Sequence, residues 1–170
     1  VTKNGILLID FVNHARGERF NDRAANVFRR IAGAEVRQRV TSVGGEALGR
    51  LGDIDVLVVE PVLRRVAVVE AKDLAAARTA AEISNEMKAI VQGTGKRPSA
   101  VTRVGDRVAW ISARLPKLLV ELGLDPGGEW SVEPAIVTGF EAMAPLLAST
   151  SVPVLALFEA KHDERLVDAI

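Results

Sequence analysis

The chain has 170 residues, a length that makes one self-sufficient domain the default, and its 48% apolar and 26% charged composition excludes a disordered or low-complexity protein. It contains no cysteine, which excludes disulfides, thiolate-held zinc and a thiol nucleophile, and makes a reducing compartment, the cytoplasm, the expected location. Its formal net charge is zero, so any attraction for nucleic acid must come from a local patch.

The first residue is Val1, not Met, so residues 1–170 read as a single domain that stands alone or belongs to a longer protein. Gly5 to Ile9 is apolar but too short to span a bilayer and is broken by Asp10, so no membrane segment is expected. From Arg19, the residues Phe20, Ala24, Val27, Phe28 and Ile31 recur at helical spacing, with Gly33 as a stop. Val36 to Val40 alternates with Arg37 and Arg39 and reads as a short strand. The connector that follows, Ser42 to Gly52, holds Gly44, Gly45 and Gly49 and reads as a loop. Two β-branched runs, Ile54 to Val59 and Val66 to Ala71, flank Glu60 to Arg65 and form a buried hairpin. Ala75 to Gln92 is a helix stopped at Gly93, and Val101 to Leu122 is a second, which Pro116 must kink or split. Val132 to Thr138 and Val154 to Phe158 are further strands, with a small helix over Ala142 to Leu147 between them. An early hairpin followed by βα alternation predicts an α/β protein with a mixed sheet and helices on both faces.

Charged groups stand at the margins of the two apolar hairpin runs: Asp53 and Asp55 before the first, Glu70 and Lys72 at the end of the second. Such placement is costly unless the charges meet one another, a metal or water. Glu70 and Lys72 are two apart and point to one face of their strand. If the hairpin pairs Asp55 with Glu70, the same register sets Asp53 opposite Lys72 and Glu60 opposite Arg65, and closes on Pro61 to Arg64. Carboxylates on rigid strands supply the hard oxygens that Mg²⁺ or Mn²⁺ takes, and a neighbouring cation serves developing negative charge. On this reading, removing Glu70 relieves acidic crowding and leaves the fold intact.

An Asp, a hairpin and then Glu-x-Lys, here Asp55 and Glu70-Ala71-Lys72, resembles the PD-(D/E)xK nuclease superfamily, which includes restriction endonucleases and archaeal Holliday-junction resolvases. The string GDIDVLVV…VAVVEAK is similar to small bacterial resolvase-like proteins of that superfamily, and Gly17-Glu18 stands where such families carry a Glu on the first helix. The resemblance covers Gly17 to Leu74. It implies a restriction-endonuclease-like fold and a Mg²⁺- or Mn²⁺-dependent nuclease that hydrolyses phosphodiester bonds in DNA. By the same resemblance Asp55, Glu70 and the Ala71 carbonyl hold the metal, Lys72 orients water or stabilises charge, and Glu18 assists. Relatives of this fold often act as homodimers, but no interface motif is visible. The rival from another class is a catalytically inactive nuclease-fold domain that binds nucleic acid or serves as a scaffold.

On the Val101 to Leu122 helix, Arg103, Arg107, Arg114 and Lys117 fall within about 80° of arc with Trp110 beside them, a stripe able to grip phosphate and stack a base. Arg50, in the glycine-rich connector, is a second candidate contact. Phe158-Glu159-Ala160-Lys161 repeats Glu-x-Lys without an Asp-bearing hairpin and reads as a decoy. His14 and His162 have no zinc-ligand spacing, and Gly93-Thr94-Gly95-Lys96 lacks the rest of a phosphate-binding loop.

Overall fold

The computed structural model describes Gly17 and residues 19–157; Glu18, the second Glu-x-Lys at Glu159 and both histidines lie outside them. Helix α1 (residues 19–28) is followed by β1 (Glu35–Val40), a two-rung hairpin β2 (Ser42–Val43) and β3 (Glu46–Ala47), then the long strands β4 (Ile54–Glu60) and β5 (Arg65–Lys72). Helices α2 (Ala80–Met87), α3 (Ala100–Ser112) and α4 (Leu115–Glu121) lead to β6 (Ser131–Thr138), the short helix α5 (Ala144–Leu147) and β7 (Val154–Ala156).

Five strands form one mixed sheet in the order β1-β4-β5-β6-β7. The first three run antiparallel to their neighbours, whereas β6 joins β5 and β7 in parallel, as strands reached through helical crossovers do. Helices cover both faces. Phe20, Ala24, Ala25 and Phe28 of α1 bury against Val56, Val58, Val69 and Val137 on one side. Val104 and Ile111 of α3, with Leu118 of α4 and Ile90, bury against Leu57, Val66, Val68 and Ile136 on the other. The α/β class and the two-faced mixed sheet expected from element order are therefore what the chain forms. No helix among the described residues is long and apolar enough to cross a membrane.

Three local departures have identifiable causes. The glycine-rich connector, expected as a loop, contains β2 and β3 because Gly44 and Gly45 both adopt positive φ and turn the chain back on itself. Helix α2 starts at Ala80 instead of Ala75, since Thr79 and Glu82 form a reciprocal capping box there. It then passes into a π-turn (Lys88–Gln92) that ends at Gly93, whose φ of +70° suits glycine. The predicted break near Pro116 is present: α3 ends at Ser112 and Pro116 lies in the first turn of α4, where its missing N–H costs nothing.

Leu57 is fully buried at the centre of the sheet, in the layer shared with Val104 and Ile111. Leu57→Ala is expected to cost about 2–5 kcal/mol of stability in urea unfolding, the range for a large-to-small change in a packed core.

Candidate functional site

The β4–β5 register is the one that charge alternation predicts. Val56 faces Val69 and Glu60 faces Arg65, whose guanidinium holds the Glu60 carboxylate at 2.7 Å. Pairing stops just before Asp55, whose carboxylate replaces the backbone as acceptor. Its Oδ2 accepts the Ala71 N–H at 2.8 Å, and its Oδ1 accepts the Asn21 side-chain amide of α1 at 3.1 Å. On the other side, the β1–β4 ladder skips the Arg39–Asp55 position, where Arg39 has a φ of +51°. Facing changes across this irregularity: Ile54 packs in the α3 layer and Val56 in the α1 layer. Simple alternation predicts one flat face for Asp55 and Glu70. Instead, Asp55 sits at the end of the hairpin, reached by groups from both layers.

Glu70 follows regular alternation with Val66 and Val68 and therefore points under α3, where it is 1% exposed. Its carboxylate meets three cations. Lys72 Nζ lies 2.7 Å from Oε1, the Arg103 guanidinium donates to the same oxygen, and Arg107 donates to Oε2. Arg103 and Arg107 are one helical turn apart, so both reach the same point from α3. The remaining Arg107 donors, Nε and Nη2, are satisfied by the Leu51 carbonyl at 3.2 Å. That carbonyl is presented by a turn at Gly52, φ +74°, where an added Cβ would lie 3.6 Å from Arg107 Nη2.

These groups surround a cleft of about 450 Å³ lined by Asp53, Asp55, Glu70, Lys72, Arg103 and Arg107, together with Arg39, Gly17 and Asn21 of α1. Its two central carboxylates are electrostatically unlike. Burial and then the neighbouring Glu70 charge push the Asp55 carboxyl up to about 6, against the opposing pull of the Ala71 N–H, Lys72 and Arg107. Burial would raise Glu70 as well, but Lys72, Arg107 and Arg103 outweigh it and hold that carboxyl below the ordinary glutamate range.

Of the residues that the sequence singles out, Asp53, Asp55, Glu70, Ala71, Lys72, Arg103 and Arg107 converge on this cleft. Glu18 lies outside the described residues. The basic stripe does not act as one surface, because Arg103 and Arg107 turn inward to Glu70. Arg114 stacks 4.2 Å over Trp110 and bonds Glu46 at 2.8 Å, and Lys117 pairs with the same carboxylate. Trp110 is itself partly buried in the α3 layer, so its face is already in use. Glu46 lies on β3 of the short hairpin within the glycine-rich connector. Arg50 is exposed on a 3₁₀ turn (Gly49–Leu51) beside the Leu51 carbonyl. Asn21 and Arg39 also line the cleft: helical spacing from Gly17 points to the first, and nothing in the sequence marks the second.

No protein-family model, curated protein or solved structure matches the chain.

The expectation that losing Glu70 relieves acidic crowding is reversed by its surroundings. Glu70→Ala leaves Arg107, whose side chain is 7% exposed, without a counter-charge, and should cost about 3–5 kcal/mol in urea unfolding. Glu70→Gln keeps an acceptor oxygen and should cost less. Asp55 behaves oppositely. Its folded pKa lies above the unfolded value, so the folded state binds the proton more tightly between about pH 4 and 6, and stability is lost as pH rises through that window. Asp55→Asn, in metal-free buffer, should match the parent protein near pH 4 and exceed it above pH 6 by up to about 3 kcal/mol. Equal stability of the two proteins at every pH would contradict this.

Proposed function

We propose that this chain is a Mg²⁺- or Mn²⁺-dependent nuclease of the restriction-endonuclease-like class, acting in the cytoplasm and hydrolysing phosphodiester bonds in DNA. The observation that carries the reading is the convergence of Asp55 with Glu70, Ala71 and Lys72 from two adjacent antiparallel strands on one cleft. A metal suits the donor set in one definite respect: Asp55 is an under-compensated buried carboxylate, and a divalent cation beside it would offset the burial and the Glu70 repulsion that raise its pKa. Among the described residues no three His, Cys, Asp or Glu side chains stand close enough to ligate an ion by themselves. Two carboxylates, the Ala71 carbonyl, water and substrate phosphate oxygens would then complete the shell, a mixture typical of Mg²⁺. The bound ion would polarise the phosphoryl oxygen and lower the pKa of an attacking water. Lys72 is held by Glu70 at the cleft and serves the charge that grows on the phosphate. Asn21 fixes the Asp55 carboxylate from α1, and Arg103 offers a further cation on the substrate side.

One observation favours a second reading, a nuclease-fold domain that binds nucleic acid without cutting it. Both Glu70 oxygens are engaged by cations, and a metal ligand at that position must first loosen Arg103 or Arg107.

Cleavage separates the two. A supercoiled or linear DNA substrate should be cut in Mg²⁺ or Mn²⁺ and spared in EDTA, and Asp55→Asn and Glu70→Gln should each abolish cutting. Lys72→Ala should lower the rate by about 10²-fold or more while the Mg²⁺-induced rise in melting temperature persists. No cutting of any DNA, with no metal-dependent shift in melting temperature, would leave the non-catalytic reading. Cutting that survives Glu70→Gln would overturn the site assignment.

A further inference from the structure

A second cleft, of about 360 Å³, opens beside the first. The two share Lys72 and Arg103 as a common wall. Beyond that wall the second cleft is lined by Asn85 of α2, Lys88 of the π-turn, and Thr94 and Arg97 from the loop before α3. Four cations thus border it, and no Asp or Glu does. Some cations of this chain are matched by acids, Arg114 and Lys117 by Glu46 and Arg37 by Glu35 and Glu121. Lys88 and Arg97 are exposed and have no ion-pair partner among the described residues. The Nε of Arg103 is buried and lacks a hydrogen-bond acceptor, so the shared wall carries an unsatisfied donor as well.

The loop that builds this cleft is held in shape. Thr94 and Arg97 exchange backbone hydrogen bonds at 2.7 and 3.1 Å, and Thr94 Oγ1 also accepts the Arg97 N–H. Gly93 allows the tight return onto α3, since a Cβ there would lie 2.9 Å from the Ser99 nitrogen and 3.0 Å from the Arg97 carbonyl. Arg97 is therefore carried on a defined turn next to Lys72 and Arg103.

We infer that this groove binds the sugar-phosphate backbone of the DNA strand flanking the phosphodiester held at Asp55, Glu70 and Lys72. This rests on the nuclease reading for its orientation relative to the cut. The chemistry is that of a polyanion track: cations with unoccupied donors, neutral polar groups between them, and no carboxylate to repel phosphate. The groove lining includes no aromatic side chain for base stacking, so binding there is independent of sequence. The strand would continue from the carboxylate cleft past Lys72 and Arg103 toward Lys88 and Arg97, away from the Trp110, Arg114 and Lys117 face.

The test is fluorescence anisotropy of the full chain with a fluorescein-labelled DNA duplex and its single strand, in EDTA so that nothing is cut, over a range of NaCl. Lys88→Ala/Arg97→Ala should weaken binding at least tenfold at low salt and reduce the slope of log affinity against log salt by about 2, the loss of two phosphate contacts. Its melting temperature should match the parent, because both side chains are exposed and unpaired. Arg114→Ala/Lys117→Ala, which removes cations already paired with Glu46, should change affinity by about twofold or less. Unchanged affinity and slope in the Lys88/Arg97 variant, or no salt-dependent DNA binding by the parent chain, overturns the groove. Its fate is separable from that of the nuclease reading. Groove-dependent binding without any cutting removes the catalytic assignment alone, and Asp55-dependent cutting with a groove-independent affinity removes the groove alone.

Discussion

The arrangement of this molecule turns on the burial of one carboxylate. Glu70 projects from the central strand β5 into the layer beneath α3, where an uncompensated anion would cost several kcal/mol. The compensation comes from α3, and it constrains where that helix can lie. Val104, Arg107 and Ile111 share one stripe, so the contacts that bury the apolar face also deliver the Arg107 guanidinium to Glu70. The turn at Gly52 brings the Leu51 carbonyl to the other edge of that guanidinium. A helix shifted by one residue would strand both the arginine and the glutamate, so the polar contact sets the register of the helix on the sheet while the apolar contacts hold it there.

A consequence is the inequality of the two carboxylates in the cleft. The cations cluster on Glu70, and Asp55 receives only neutral donors, an amide from Asn21 and an N–H from Ala71, while feeling Glu70 as a like charge. Burial and then the Glu70 charge drive the Asp55 carboxyl above its ordinary range, while Lys72, Arg107 and Arg103 outweigh burial at Glu70 and hold that carboxyl below its own. The site thus holds a fixed, neutralised anion beside one whose ionisation is still sensitive to any added cation. An incoming divalent ion has most to gain at Asp55 and most to displace at Glu70. A phosphate oxygen meets the reverse, finding donors on the Lys72 and Arg103 side.

Much of this was legible in the chain because it followed from alternation and helical period. Glu60 opposite Arg65 and Asp55 at the level of Glu70 come from a two-residue period, and the α3–α4 break comes from Pro116. What sequence spacing could not supply was the direction taken by long side chains. Arg103, Arg107, Arg114 and Lys117 occupy one arc of helix, yet two turn toward a buried acid 33 and 37 residues upstream and two toward Glu46 on a hairpin hidden in a glycine-rich stretch. The arc is a property of the helix, and the partners are properties of the tertiary fold. Lys88 and Arg97 carry no sequence signal for the complementary reason. They belong to no stripe, and only the π-turn ending at Gly93 brings them to Lys72 and Arg103.

The zero net charge, which argues mildly against a nucleic-acid-binding protein, loses its force once the partners are assigned. Screening limits what an exposed charge feels to about 10 Å at ordinary ionic strength, so a DNA strand responds to the cations that lack local acids and hardly at all to the total. Pairing removes Arg37, Arg65, Arg114 and Lys117 from that field, while Lys88 and Arg97, which have no acid partner among the described residues, adjoin Lys72 and Arg103, whose charge Glu70 partly offsets. The acids that balance the sum sit elsewhere, as caps, as hairpin partners or under α3. A neutral chain can therefore present a positive track alongside its carboxylate cleft, provided the fold sorts its acids away from that track.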